Sequence, residues 1–383
     1  MTREAFPWPA WPEFQADKST LSQYHEDEDF QQIKKQIIAE YGEQNIQTSW
    51  LKVNEELVRI TDEIKQKGQH IIPILDMTDL AMEEGKAGVN EETLKEIRKT
   101  GCFIVRNVID QCQVETMHSQ LQDYASINKG RYNAWPETSP SILSLYSTPV
   151  QNELRIYPNM RRLMRWINEL WNSYSDDIDA QVTSPEPLIY ADGVRMRPPG
   201  QPFLGLGPHI DAGSLCRWAD PAYRSVYGAI FSGSPEMHDA YNISRRSKAN
   251  QALYSGAAHS TVMRSFQGWT AMSRTAPRQG TILLYPNVIT VMAYLLLRPF
   301  FKPPDDPEKL MDASKWSFDP DECWFPGTFK PDSQLLSPTS HPHLHLKQCL
   351  VHAPPLNPGD TIWWHTDVSY AYVYLQNDIT LKC

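Results

Sequence analysis

The sequence has no apolar stretch long enough to cross a lipid bilayer. The longest run is VITVMAYLLL, from Val288 to Leu297, and it is about half the length that a spanning helix requires. The amino-terminal MTREAFPWPAWPEF alternates proline and tryptophan and lacks the apolar core of a signal peptide. We therefore expect no membrane association, and we expect Val288 to Leu297 to form a helix in the core.

Cysteine is scarce and scattered. The chain of 383 residues has six, and no two of them lie close together: Cys102, Cys112, Cys216, Cys323, Cys349 and Cys383. Small secreted domains use clustered cysteines as a disulfide framework, and this pattern excludes one. We expect reduced thiols and a cytoplasmic location.

Basic residues are fewer than acidic ones. There are 36 Lys and Arg against 46 Asp and Glu, which gives a formal net charge of -10. Nucleic acids and anionic membranes attract concentrated basic residues, so neither is expected as a partner. With 12 Trp and 17 Tyr, the chain is too aromatic to be disordered. We expect a folded protein of enzyme size that acts on a small molecule.

The first 95 residues are predicted to be a helical extension. FQQIKKQIIAEYG and LVRITDEIKQKG each carry apolar residues at spacings of three and four and end on glycine. Such helices gain most of their stability by packing an apolar face on something larger. Residues 1–95 are therefore expected to pack on a core domain of residues 96–383.

The core domain is predicted to be rich in short strands. TGCFIVRNVI favours a strand between two helical segments, and from about Pro187 onward short β-rich runs such as QGTILLYP and PGDTIWWHTDV alternate with Pro and Gly. This spacing is typical of a sandwich or barrel. The expected fold is mainly β with flanking helices (α+β), arranged as a jelly roll, or double-stranded β-helix.

A His-x-Asp pair lies in the segment GLGPHIDAG. His209 and Asp211 are two residues apart and fall on the same side of a strand. A neutral imidazole and a carboxylate on one face suit non-haem Fe(II), whose two-histidine, one-carboxylate site leaves positions open for a co-substrate and dioxygen. An isolated His-x-Asp is more often a loop histidine beside a capping aspartate. Its place after a strand, at the mouth of the expected barrel, favours a metal site here.

Several segments together resemble a known family. VRMRPPG, LGLGPHIDAGS, RSFQGW, AYLLLRPFF and PGDTIWWH are similar to a bacterial and fungal uncharacterised-domain family of the Fe(II)/2-oxoglutarate-dependent oxygenases, distantly similar to phytanoyl-CoA hydroxylases. The resemblance extends from about residue 40 to Asp367, and His209 and Asp211 match the first two iron ligands.

This resemblance implies a double-stranded β-helix, with iron bound by His-x-Asp and a distal histidine. It further implies 2-oxoglutarate as co-substrate, held by a basic residue some ten positions beyond that histidine, and dioxygen as the oxidant. Oxidation by hydrogen abstraction is then expected. A role in specialised metabolism, with a small polar substrate such as an amino acid, is the expectation drawn from the fungal relatives.

The third iron ligand does not follow the family pattern. The distal histidine is expected five residues beyond His365, where this chain has Tyr370, and the following AYVYLQNDITLKC has no Arg. One explanation is an intron read through after Val368-Ser369, which would leave the oxygenase domain incomplete at its carboxyl end. Alternatively His365 is the third ligand, or iron binding has been lost and the protein is a catalytically silent jelly-roll binding protein.

Four polar residues are candidates for binding the co-substrate or the substrate. Arg195 and Arg197 share a face of one strand, and a guanidinium can hold a carboxylate through two hydrogen bonds, although internal ion pairs are an equal alternative. In RSFQGW, Arg264 and Gln267 are expected to line the pocket, with Trp269 as its wall.

A zinc- or manganese-dependent isomerase or hydrolase with a cupin-like barrel is a further alternative, but it requires a site made largely of histidine. SHPHLHLKQ, with His341, His343 and His345, offers three alternating imidazoles, which could bind zinc. Neighbouring residues on one face of a strand seldom converge on a tetrahedral ion, and we interpret them as a solvated strand face.

Overall fold

The computed structural model describes residues 28–80, 88–171, 186–188, 192–198, 201, 205–211, 213–256, 259–277, 279–330 and 332–372. Among these residues, none of the helices combines the length and apolarity needed to span a membrane. The helices are α1 (Glu28–Tyr41), α2 (Glu43–Lys67), α3 (Glu91–Thr100), α4 (Gln111–Ile127), α5 (Pro149–Ile156), α6 (Pro158–Glu169), α7 (Cys216–Ala219), α8 (Pro221–Val226), α9 (Gly228–Phe231), α10 (Ile243–Arg246), α11 (Ile289–Leu297) and α12 (Leu346–Cys349).

The strands of the described residues form four small sheets. They are β1 (Ile74–Asp76), β2 (Cys102–Arg106), β3 (Ala134–Trp135), β4 (Ile142–Leu143), β5 (Val194–Arg195), β6 (Leu206–Ile210), β7 (Phe266–Thr270), β8 (Ile282–Leu284), β9 (Phe301–Lys302), β10 (Ser317–Phe318), β11 (Gln334–Leu335), β12 (Val351–His352), β13 (Thr361–His365) and β14 (Tyr370–Tyr372).

Two of these sheets make up the centre of the protein. One has the strand order β1-β2-β13-β7, and the other has the order β11-β6-β14-β8-β12. The chain leaves the first sheet at His365 and enters the second at Tyr370, so residues 366–369 form the crossing. In the second sheet β14 lies between β6 and β8, with Tyr370 directly opposite His209. This register brings the two sequence motifs at 209–211 and 361–370 together.

The crossing is packed tightly against the start of β2. Gly101 ends α3 with a positive φ of 69°, which glycine adopts at little cost. A Cβ at this position would lie 2.7 Å from Val368 Cγ2, and the Gly101 carbonyl accepts a 2.7 Å hydrogen bond from the backbone N–H of His365. Any other residue at 101 would push the crossing away from its place.

The α+β class is confirmed, but two finer expectations are not. Helices hold more of the described residues than strands do, so the fold is not mainly β. The α7–α10 segment, between β6 and β7, adds helices that the sequence did not indicate. The described strands do not close into a barrel. The predicted core helix is confirmed as α11, and Thr290 to Leu297 are all buried.

The SHPHLHLKQ segment is not a solvated strand. Pro342–Leu344 is a short 3₁₀ helix, followed directly by α12. His341 and His343 are buried, and their Nδ1 atoms contact the hydroxyls of Ser340 and Tyr294 at 2.7 and 3.2 Å. Proline and local hydrogen bonding therefore override the apparent alternation, and the predicted strand face was wrong.

The amino-terminal helices pack on the core through aromatic side chains. Trp50 of α2 stacks on Phe301 with ring centroids 4.4 Å apart, and its indole N–H donates a 3.0 Å hydrogen bond to the Ala313 carbonyl. Phe30 of α1 meets the Phe325 ring edge-on at 5.3 Å. The partners that bury these two helices thus lie more than 200 residues later in the chain.

We therefore predict that residues 1–95 do not fold when produced alone. Without Phe301 and Phe325 to cover them, the apolar faces of α1 and α2 stay in water, and short isolated helices are only marginally stable there. Far-UV circular dichroism during a urea titration should show a gradual loss of weak helicity. A sigmoidal transition in the fragment would show that this segment is an independent domain.

Candidate functional site

His209 and Asp211 form the centre of the candidate site. His209 is the fourth residue of β6 and Asp211 follows its last residue. The Nε2 atom of His209 lies 3.6 Å from Asp211 Oδ1, and Nδ1 lies 2.7 Å from the Gly207 carbonyl oxygen. Because that carbonyl can only accept, Nδ1 carries a proton, and Nε2 is the ring nitrogen that faces the carboxylate. Histidines that bind metals are commonly held in this way.

Tyr370 occupies the position beside this pair. It lies opposite His209 across the strand pair, with ring centroids 4.3 Å apart. Its hydroxyl donates a 2.6 Å hydrogen bond to Asp211 Oδ2, and Ser333 Oγ donates to Oδ1 at 3.3 Å. Burial and the nearby carboxylate raise the pKa of Tyr370 well above its usual value. Tyr370 is therefore a neutral hydrogen-bond donor to Asp211.

The Asp211 carboxylate is ionised despite its surroundings. Burial raises its pKa, but the opposing effects of His209, the Tyr370 hydroxyl, Arg264 and Ser333 are larger in sum and lower it below the ordinary value. The group can therefore act as an anionic ligand or a hydrogen-bond acceptor at neutral pH.

His365 does not join this pair. No group of three or more His, Cys, Asp or Glu side chains suited to a metal occurs within the described ranges. The reason is strand alternation. In β13, Trp364 and His365 point to opposite faces, and it is Trp364 that contacts Tyr370, at 5.0 Å between centroids.

His365 lies instead among aromatic rings. It stacks on Trp171 at 4.7 Å and meets Phe266, its strand partner, edge-on at 5.6 Å. Its Nδ1 accepts a hydrogen bond from the backbone N–H of Asp367 at 3.1 Å. Burial lowers the pKa of His365 to about 4, so the ring is neutral. The structure thus places the His365 ring in an aromatic cluster, and a role for it as the third ligand stays a prediction.

A buried ion pair fixes the crossing next to the site. Arg246 of α10 holds both carboxylate oxygens of Asp367, at 2.9 and 3.0 Å, and both side chains are about 1% exposed. The Tyr227 hydroxyl donates to the same carboxylate at 3.2 Å. The positive charge of Arg246 lowers the pKa of Asp367 strongly, although burial acts in the opposite direction.

Arg217 connects this ion pair to the candidate site. It lies 4.0 Å from the Asp367 carboxylate and donates to the backbone carbonyls of Asp211, at 3.1 Å, and Gly213. Gly213 has a φ of +78°, and a Cβ there would lie 3.1 Å from the Tyr223 ring. The loop after His209 is therefore held by the same charged cluster that holds the turn before Tyr370.

All four predicted pocket residues line one cavity. Arg195, Arg197, Arg264 and Gln267 share it with Asp211, Trp269, Trp364, Tyr370 and Tyr372, and its volume is about 1680 Å³. The guanidinium carbons of Arg195 and Arg197 lie 5.6 and 5.4 Å from the centroid of the Tyr372 ring. Arg197 also donates to the Gly280 carbonyl, and burial lowers its pKa to about 10.

One wall of the cavity carries buried N–H donors. Gln267 Nε2, Trp269 Nε1 and Trp364 Nε1 are buried and make no hydrogen bond to the part of the chain that the structure describes. The three side chains share one face of the first sheet, because Gln267 lies opposite Trp364 and Trp269 is two residues further along β7. Unsatisfied buried donors cost about 1–3 kcal/mol each, so acceptor atoms of a ligand are favoured there.

Sequence reasoning missed Tyr372 and the Arg217–Arg246–Asp367 cluster. Asp367 is the last residue of the WWHTD segment, and its charge near the two tryptophans was a signal in the sequence. Arg217 and Arg246 carry no such signal, because their partners lie 121 or more positions away in the chain or in the backbone of the loop. Tyr372 was interpreted only as part of the divergent tail.

Replacing Arg246 by Met should destabilise the protein. The change leaves the buried Asp367 carboxylate without its principal partner, and breaking a buried pair typically costs about 3–5 kcal/mol. Arg245→Met is the matched control, since Arg245 is the exposed neighbour on α10 and should cost less than about 0.5 kcal/mol. Urea unfolding followed by tryptophan fluorescence measures both. Equal midpoints for the two variants would contradict the importance of the ion pair.

Comparisons with known proteins show which proteins this chain resembles. "Uncharacterized protein YbiU" of Escherichia coli (strain K12) is 28% identical over 361 residues, which is 90% of this chain and 79% of that protein. The crystal structure of GlcNAc Inducible Gene 2, GIG2, from Candida albicans matches with a TM-score of 0.77 and 26% identity, covering 91% of this chain and 75% of that one. The "Putative Oxidoreductase from Salmonella typhimurium LT2" matches with a TM-score of 0.73 and 27% identity, covering 91% and 80%.

A profile of one protein family also matches the chain over most of its length, from residue 25 to residue 377. The matched segment contains the His209–Asp211 pair, the Arg246–Asp367 ion pair and every described residue that lines the cavity. The chain belongs to the Gig2-like family.

Proposed function

We propose that this protein is an oxidoreductase of the non-haem Fe(II)/2-oxoglutarate-dependent type that acts on a small molecule. The observation that carries the proposal is the placement of the Asp211 carboxylate, next to Nε2 of His209, in the same cavity as Arg195, Arg197 and Arg264. A metal would be held at one point of that cavity and a carboxylate-bearing co-substrate at another. The Salmonella relative, which carries oxidoreductase in its name, supports the same class.

The side chains of His209 and Asp211 fit an iron site. The Gly207 carbonyl holds Nδ1 of His209, so that Nε2 faces Asp211 and is the nitrogen available to a metal, and Asp211 is ionised. An imidazole and a carboxylate suit Fe(II), which would supply the means of activating dioxygen. The protein's own part would be to orient the reactants through Arg195, Arg197 and Arg264 and to keep the site dry with Trp269 and Trp364.

The two central sheets support a jelly roll as the underlying architecture of the proposed enzyme. β6 and β14 are adjacent in one sheet, β7 and β13 are adjacent in the other, and the chain passes between them at residues 366–369. The Trp364–Tyr370 contact, with ring centroids 5.0 Å apart, joins the two sheets next to the site and supports this arrangement. The proposed fold is an open version of the double-stranded β-helix.

Iron binding is expected to depend on His209 and Asp211 and not on His365. Loss of outer contacts to a metal ligand typically costs tenfold to 100-fold in affinity, and loss of a ligand costs at least as much. In anaerobic titrations with Fe(II), His209→Ala and Asp211→Ala should therefore each weaken binding by about tenfold or more. His365→Ala should leave the affinity unchanged, and Tyr370→His should raise it, because this residue lies directly opposite His209.

Each variant is compared with the parent chain by its thermal transition, so that a loss of folding is separated from a loss of a ligand. Unchanged affinity in both His209→Ala and Asp211→Ala would refute the metal site. If His365→Ala alone abolished binding, His365 would be the third ligand after all.

A second candidate is a binding protein with a degenerate metal site. The Tyr370–Asp211 hydrogen bond favours it, since the phenol contacts a carboxylate oxygen that a metal would need. The two functions differ in Fe(II)-dependent release of succinate from 2-oxoglutarate under air. Slow release that disappears in Asp211→Ala supports the oxygenase, whereas no release by the parent chain, together with ligand binding in the cavity, supports the binding protein.

A further inference from the structure

Resting on the proposed function, we propose that the substrate is an amphipathic carboxylate: its carboxylate group is held by Arg195 and Arg197 beside Tyr372, and its apolar body lies along a methionine-lined wall of the cavity. This differs from the small polar substrate that the sequence suggested. It deepens the function by naming the chemical class of the molecule that the cavity accepts.

The arginine pair lies close to the candidate metal site. Tyr370 and Tyr372 point to the same face of β14, being two residues apart, and their rings meet edge-on at 5.9 Å. Tyr370 contacts Asp211 on one side, and Tyr372 contacts both guanidinium groups on the other. A carboxylate at the arginines would thus lie about two aromatic rings away from Asp211.

The two guanidinium groups are close enough to affect each other. Arg195 contributes to the lowered pKa of Arg197 through repulsion, after the larger effect of burial. A bound carboxylate relieves that repulsion and accepts hydrogen bonds from planar N–H pairs, the geometry in which arginine is superior to lysine. Arg197 is held in place by the Tyr372 ring and the Gly280 carbonyl, so its side chain has little entropy to lose on binding.

The cavity is larger than a small polar molecule needs. Ligand pockets are typically about 300–1,000 Å³, and this cavity is about 1680 Å³. Methionine side chains are flexible and adapt to irregular apolar shapes, and five of the 12 methionines of the chain line this one cavity: Met160, Met164, Met196, Met263 and Met272. A small amino acid would leave this wall exposed to water.

The buried donors that line the cavity agree with an acceptor-rich ligand. Gln267 and Trp269 offer N–H groups on the face of β7 that lines the cavity. An indole N–H can only donate. Oxygen atoms near the middle of the ligand, or of the co-substrate beside it, would satisfy these groups.

The test uses the metal-free full-length chain in EDTA, with sodium decanoate as probe and sodium acetate and 1-decanol as comparisons. Binding is followed by quenching of tryptophan fluorescence and by calorimetry. Decanoate should bind at least tenfold more tightly than acetate, which lacks the apolar body, and than 1-decanol, which lacks the charge. Each comparison removes one half of the proposed ligand.

Three variants test where the carboxylate and the apolar body of decanoate bind in the cavity. Arg195→Met changes an exposed side chain and should weaken decanoate by about tenfold, the typical effect of losing one charged hydrogen-bond partner. The Met263→Gln and Met272→Gln double variant should weaken decanoate and leave acetate unchanged. Arg162→Met is the matched control, because Arg162 is exposed on α6 outside the cavity, and it should bind decanoate like the parent chain.

The inference is overturned if acetate and decanoate bind equally, if Arg195→Met binds decanoate like Arg162→Met, or if 2-oxoglutarate displaces decanoate and depends on Arg195 to the same extent. The last result would assign the arginines to the co-substrate. Because no metal is present in these measurements, failure of the iron site would leave the decanoate result unchanged, and the two proposals can fail separately.

Discussion

The buried pair of Arg246 and Asp367 is the interaction on which the arrangement of the site depends. Asp367 lies in the crossing between the two central sheets, and Arg246 belongs to the helical segment inserted between β6 and β7. Arg217, in the same segment, contacts Asp367 and holds the carbonyl of Asp211. One charged cluster therefore fixes the end of β6 and the beginning of β14, the two strands that supply His209, Asp211 and Tyr370. A buried pair of this kind contributes little net stability compared with apolar packing, but it defines where two chain segments lie relative to each other.

Much of the fold follows from local pattern. The strand around Phe103, the buried helix α11 and the amphipathic helices α1 and α2 were each predicted from periodicity, because each of them buries a face that its own sequence displays. The predictions were wrong where local chemistry opposes the pattern. Around His341 the alternation of histidines suggests a strand, yet Pro342 and side-chain hydrogen bonds from Ser340 and Tyr294 produce a 3₁₀ turn and bury the rings. Alternation is informative only when no competing turn chemistry lies inside the run.

The candidate site was predictable to a similar extent. The His-x-Asp spacing identified the pair, and the arginines and Gln267 that were expected in a pocket do line the cavity with Asp211. His365 shows the opposite case. Its residue type and position suggested a ligand, but its face was decided by its neighbour: because Trp364 packs toward Tyr370, the next residue must point into the aromatic cluster of Trp171 and Phe266. Side chains one residue apart along a strand point to opposite faces of the sheet. Neither composition nor a motif predicts which face a given side chain takes.

Tyr370 affects both the packing of the candidate site and its proposed chemistry. Burial and the adjacent carboxylate raise the pKa of the Tyr370 phenol, so it keeps its proton. It donates that proton in a hydrogen bond to Asp211. The hydrogen bond stabilises the ionised aspartate within the structure. The same bond competes with any ion for a carboxylate oxygen. The strength of the proposed metal site would therefore be set less by His209, whose orientation is fixed by Gly207, than by how readily the tyrosine releases the oxygen it holds.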